Sequence, residues 1–129
     1  MNDTPPHVLV VEDDEEVNET LRYNLTRAGY EATPAYDGLA ALAAVRAQAP
    51  AVVLLDVMLP GADGWEVCRA LCEDPALRSI PVIIFTAKGS REDFDHGHRY
   101  PNVCGYFVKP YAMVDVIRHV GRVLGRRPQ

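Results

Sequence analysis

Four short apolar runs, His7–Val11, Ala51–Leu55, Pro81–Phe85 and Cys104–Val108, recur along the chain. They are rich in Val and Ile, show little alternation with polar residues, and are too short for buried helices. Such runs predict strands covered on both faces. Glu31–Ala35 is a weaker fifth strand without a solid apolar run, and is expected at a sheet edge. Between the strands the apolar period changes to that of helices. Residues 15–28 place Val17, Leu21, Asn24, Leu25 and Ala28 on one stripe, ahead of Gly29, a suitable stop. Residues 38–48 carry Leu39, Leu42 and Val45 and end before Pro50. Residues 64–73 carry Trp65, Cys68, Leu71 and Cys72, and residues 112–124 carry Met113, Val116, Ile117, Val120 and Leu124. Ser90 and Asp93 read as a capping box for a further helix, which Gly97 and Pro101 restrict to about two turns.

Five strands alternating with five helices predict an α/β fold: a doubly wound parallel sheet with right-handed crossovers and helices on both faces. In such folds ligands bind beyond the carboxyl ends of the strands, so chemistry is expected there.

Composition narrows the class. The 129 residues leave room for one domain, expected over residues 1–129 with a core at about 7–125 and short flexible ends. At 48% hydrophobic and 24% charged, the chain is neither disordered nor fibrous. No apolar run approaches the roughly 18 residues of a membrane-spanning helix. Three cysteines and no signal-peptide pattern point to a reducing cytoplasm. A net charge of −5 opposes nucleic-acid binding by this domain. The charge is uneven: residues 1–20 hold seven acids and no Lys or Arg, and residues 118–129 hold four Arg and no acid. Of thirteen basic residues only Lys88 and Lys109 are Lys.

The strand ends carry the candidate chemistry. The first strand runs into Glu12, Asp13 and Asp14, the third into Asp56, the fourth into Thr86-Ala87-Lys88, and the fifth into Lys109-Pro110. Converging carboxylates repel one another unless a cation joins them, and hard oxygen ligands suit Mg²⁺. Lys binds phosphate as a point charge. The set suits phosphoryl transfer to a carboxylate, with metal, Lys and Thr neutralising the transferring group. Asp56 is the expected nucleophile, being the lone acid after Val52-Val53-Leu54-Leu55.

Four motifs stand in order at these ends: Val10-Val11-Glu12-Asp13, Leu54-Leu55-Asp56-Val57-Met58-Leu59-Pro60-Gly61, Phe85-Thr86-Ala87 and Tyr106-Phe107-Val108-Lys109-Pro110. Together they resemble the receiver domain of bacterial two-component response regulators over roughly residues 7–125. The resemblance implies a flavodoxin-like sheet of strand order 2-1-3-4-5. It implies a phosphoacceptor switch rather than an enzyme, with Asp56 taking a phosphoryl group from a sensor histidine kinase or phosphotransfer protein. Glu12, Asp13, Asp56 and the Met58 carbonyl would then hold Mg²⁺ (or Mn²⁺), Asp13 directly and Glu12 through water. Lys109 would pair with the phosphoryl group, Thr86 would move to hydrogen-bond it, and Tyr106 would be the aromatic switch. Ala87 would leave the phosphoryl group open to attack, and Met58 and Lys88 stand where the family tunes dephosphorylation. The Lys109–Pro110 bond is often cis in this family. The implied partners are the phosphodonor and a downstream protein target, the implied state a monomer or weak phosphorylation-linked dimer. Residues 94–105 depart from the family pattern, which bears on its usual signalling surface and not on its pocket.

Plainer readings stand beside these. The acidic run Glu12–Glu16 is also what a solvated helix start looks like. Cys68 and Cys72 read as packed thiols, Cys104 as a buried strand residue, Trp65 as packing or a partner contact, and His96 and His98 as exposed loop residues. A phosphohydrolase of the haloacid dehalogenase type would show Asp-x-Asp-x-Thr after its first strand, whereas Asp56 follows the third and Met58 stands two on. A phosphate-independent scaffold and a receiver excised from a longer DNA-binding regulator complete the alternatives.

Overall fold

The computed structural model describes residues 4–59, 63–87, 95 and 99–125. Five strands, β1 (His7–Val11), β2 (Glu31–Ala35), β3 (Val52–Asp56), β4 (Val82–Thr86) and β5 (Val103–Val108), form one parallel sheet in the order β2-β1-β3-β4-β5. Among the described residues four helices accompany it: α1 (Glu15–Arg27), α2 (Gly38–Ala47), α3 (Gly64–Glu73) and α4 (Met113–Val123). The capping box at Ser90, together with Lys88, His96 and His98, lies outside the described residues.

Strand composition follows position. Every residue of β3 and β4 is buried, as the unbroken apolar runs require, whereas the edge strands β2 and β5 are only partly covered. Pro34 is tolerated in β2 for a related reason. The Glu31 amide donates to Pro6 O and Ala35 O accepts from the Glu12 amide, so the odd residues face β1. Alternation then turns the Pro34 nitrogen, which has no proton to donate, to the open edge.

Successive side chains enter opposite faces and build two cores. Leu9, Val11, Val53, Leu55, Val82 and Ile84 pack with Ala41, Val45, Val67 and Leu71 of α2 and α3. Val8, Val10, Val52, Leu54, Ile83 and Phe85 pack with Leu21, Leu25, Val116 and Val120 of α1 and α4. Each fully buried aliphatic side chain contributes roughly 1.5–3 kcal/mol. Asp14, Asp37 and Asp63 cap α1, α2 and α3 by accepting from amides of the first turn. Gly29, at φ 98°, ends α1 where a left-handed residue is needed.

The boundaries differ in detail from the sequence reading. β3 and β4 each begin and end one residue later, at Val52–Asp56 and Val82–Thr86. The polar residues Asp56 and Thr86 are still paired in the ladder, opposite Phe85 and Val108. The buried polar member of the α1 stripe is Asn18, with Asn24 only half-buried. Cys104 is exposed rather than buried, because the β4–β5 register shifts between Val82 and Ile83 and leaves Cys104 as the extra residue. Cys68 is fully buried and Cys72 half-buried, as packed thiols. Trp65 stacks on Tyr100 with ring centroids 6.2 Å apart. No helix among the described residues is long and apolar enough to cross a membrane.

Candidate phosphoacceptor pocket

The sheet order brings the predicted residues together. β1 lies beside β3, so Glu12 and Asp13, just past β1, adjoin Asp56 at the end of β3. β4 and β5 follow, and the Lys109 amide donates to Thr86 O at 2.8 Å. From the edge strand the Lys109 side chain reaches back across the sheet. Its Nζ donates to Asp56 Oδ2 at 2.7 Å and to Glu12 Oε1 at 2.8 Å. Asp56 and Glu12 are each only 3% exposed, so this ammonium balances two buried carboxylates.

The remaining contacts fix the two acids. The Met58 amide donates to Asp56 Oδ1 at 2.8 Å. The Asp14 amide donates to Glu12 Oε2 at 3.2 Å. Burial pushes the Glu12 carboxyl up to about 7, against the opposing pull of Lys109 and the Asp14 amide. Burial alone would lower the Lys109 ammonium, but its bonds to Asp56 and Glu12 outweigh that and hold it above its ordinary value. Asp13 is exposed at the rim. Glu12, Asp13 and Asp56 each offer a carboxylate oxygen within 4.8 Å of the others, a hard-oxygen set that fits a small divalent cation.

The loop after β3 is shaped by one glycine. The Gly64 amide donates to Val57 O at 3.2 Å, and a Cβ there would lie 2.4 Å from Val57 Cα and 2.6 Å from Asp56 O. Only Gly lets the start of α3 lie so close behind Asp56. The Lys109–Pro110 peptide is cis. Thr86 is fully buried. Tyr106 is half-buried against the α2–α3 core. A groove of about 440 Å³ leads away from Lys109 between α1 and the β5–α4 connection, lined by Glu16, Val17, Thr20, Tyr111 and Met113 among others.

A family model of the response regulator receiver domain matches residues 8–121. The chain belongs to this family. Receiver domains are phosphoacceptor switches of two-component systems rather than enzymes in the usual sense. This receiver is 40% identical over 119 residues to the sensory transduction protein RegX3 of Mycobacterium bovis, covering 92% of this chain and 51% of that protein. It is 33% identical over 125 residues to the DNA-binding dual master transcriptional regulator RpaA of Synechocystis, covering 94% of this chain and 50% of RpaA. The receiver thus spans about half the length of these two relatives. Its fold matches a putative response regulator from Chloroflexus aurantiacus with TM-score 0.88 and 31% identity, over 95% of this chain and all of that one.

Sequence reasoning missed Asn18, whose amide lies beneath Glu12. Its spacing from Leu21 and Leu25 (i, i+3, i+7) was the available signal, since a polar residue at a core-facing helical position needs a buried partner.

Proposed function

We propose that Asp56 is the phosphoacceptor of this switch. The observation that carries the reading is the Lys109 ammonium bonded to two buried carboxylates, with Asp13 completing a hard-oxygen triad. In transfer from a phosphohistidine, one Asp56 carboxylate oxygen forms a bond to phosphorus as the donor's P–N bond breaks, and the imidazole leaves. Glu12, Asp13, Asp56 and the Met58 carbonyl would hold Mg²⁺ or Mn²⁺, which would supply positive charge for the phosphoryl oxygens. Lys109 stays against Asp56 and balances the added charge. Thr86, at the end of β4, supplies a hydroxyl to the new phosphoryl group, and Tyr106, two residues before the exposed Val108, carries the change to the outer face of β5. The phosphodonor is a sensor histidine kinase or phosphotransfer protein. The output is a changed contact with a downstream protein.

A second reading, the receiver as one module of a longer regulator, is favoured by one observation: RpaA and RegX3 are about twice the span matched here. Both readings use the same pocket.

Beryllofluoride, a phosphoryl mimic, tests the pocket. Trp65 opens α3 just behind the Asp56 loop, so its fluorescence should change on adding beryllofluoride with Mg²⁺ to wild type and stay constant in Asp56→Asn. Equal responses would remove Asp56 from the role.

A further inference from the structure

We propose that Asn18 is a positioning residue for the cation-binding side of the pocket, a role that rests on reading Glu12, Asp13 and Asp56 as metal ligands. Asn18 is fully buried on the inner face of α1. Its Nδ2 donates to Val10 O at 3.1 Å and Glu12 O at 3.0 Å, and lies 3.4 Å from Ala35 O. Carbonyls only accept, so the amide nitrogen must face them. Oδ1 points the other way and accepts from Arg22 Nε at 2.8 Å, one turn along the helix. A guanidinium only donates, so the two sides fix the amide orientation independently. Arg22 in turn extends to the Tyr36 hydroxyl at 3.5 Å.

The same residue holds the acidic turn at both ends. Residues 12–14 connect β1 to α1. The Asn18 side chain holds Glu12 O, and the Asn18 main-chain amide donates to Asp14 O at 2.9 Å. Asp13 is therefore suspended between two bonds from one residue. Carboxylates brought together for a cation repel one another before it arrives, and this clamp resists their separation. A neutral donor suits the place. A carboxylate there would face three carbonyls, and an apolar side chain would leave Glu12 O without its side-chain donor.

The test separates positioning from mere stability. Mn²⁺ is titrated against wild type, Asn18→Ala and Asn18→Asp by the EPR signal of the free ion, with native far-UV circular dichroism as the check of folding. Urea midpoints are measured separately in EDTA. Removing a residue that orients metal ligands typically weakens metal affinity by about 10–100-fold, and a loss in that range is expected for Asn18→Ala, with Asn18→Asp at least as weak. A lower urea midpoint with unchanged Mn²⁺ affinity of the folded protein overturns the proposal. If both variants fail to fold, Arg22→Met carries the test, because it keeps Asn18 and releases only its oxygen. Severalfold weaker Mn²⁺ binding then supports the role, and unchanged binding overturns it. Wild type that binds no Mn²⁺ overturns the pocket reading and this proposal together, whereas binding retained in all variants overturns this proposal alone.

Discussion

Lys109 holds the charge balance of the pocket, and its removal has a defined consequence. Without its ammonium, the buried Glu12 and Asp56 carboxylates face each other uncompensated. Breaking a fully buried pair costs about 3–5 kcal/mol, but the Lys109 side chain is 30% exposed and solvent screens part of that. Lys109→Ala should therefore lose about 1–3 kcal/mol in urea denaturation with EDTA. Mg²⁺ should restore more stability to this variant than to wild type, since a divalent ion replaces the missing charge; an equal Mg²⁺ effect on both would contradict the pairing. A second residue-scale prediction concerns thiols. Burial pushes the Cys68 thiol up from 9.0 to about 12, so at any pH well below 9.0 it holds roughly a thousandth of the usual thiolate. Because a raised pKa removes the reactive form, Cys68 should resist alkylation in native protein at mildly alkaline pH and react after unfolding. Fast native alkylation at Cys68, located by peptide mapping, would contradict its burial. Glu12, Asp56, Thr86 and Lys109 were legible because each is a polar residue closing an apolar run, and Asp13 follows Glu12 directly. Asn18 showed only its core-facing spacing with Leu21 and Leu25, because the three carbonyls that give it meaning are brought to it only by the folded strands.

At the scale of elements, the informative feature is how β5 is held. His119 of α4 lies over Gly105: its Nε2 donates to Cys104 O at 2.9 Å, its Nδ1 accepts from Arg122 at 3.0 Å, and its ring meets Phe107 edge-on at 5.7 Å. These two partners require the tautomer protonated at Nε2. A Cβ on Gly105 would sit 2.3 Å from His119 Nε2. Gly105→Ala should thus displace the ring and cost about 1–3 kcal/mol, and Gly105→Ala with His119→Ala should cost less than the two separate losses added together. Strict additivity in thermal melts would refute the contact. Gly64→Ala should be worse, because its Cβ would meet main-chain atoms of Val57 and Asp56, which cannot rotate aside. The elements themselves were readable from period and punctuation: β1, β2 and α3 fall where the pattern puts them. The ends of β3 and β4 shift because the ladder continues until the backbones part, not until side chains turn polar. The bulge at Cys104 had no signal, since an extra residue in an edge strand changes pairing without changing composition.

For the whole molecule, strand order is what turns separate motifs into one site. Residues 12, 56, 86 and 109 are far apart in sequence, and the order β2-β1-β3-β4-β5 sets their strand ends side by side. An alternating α/β pattern made the parallel sheet legible, but the order came from resemblance, because nothing in strand hydrophobicity says which central strand neighbours which. The central claim is that this arrangement makes Asp56 a phosphoacceptor that works with a divalent cation. Intact-mass spectrometry of wild type and Asp56→Asn, incubated with acetyl phosphate with and without Mg²⁺, tests it most directly. Wild type should gain the mass of one phosphoryl group only when Mg²⁺ is present, and Asp56→Asn should gain none; equal gain in the variant, or equal gain by wild type without Mg²⁺, would contradict the account.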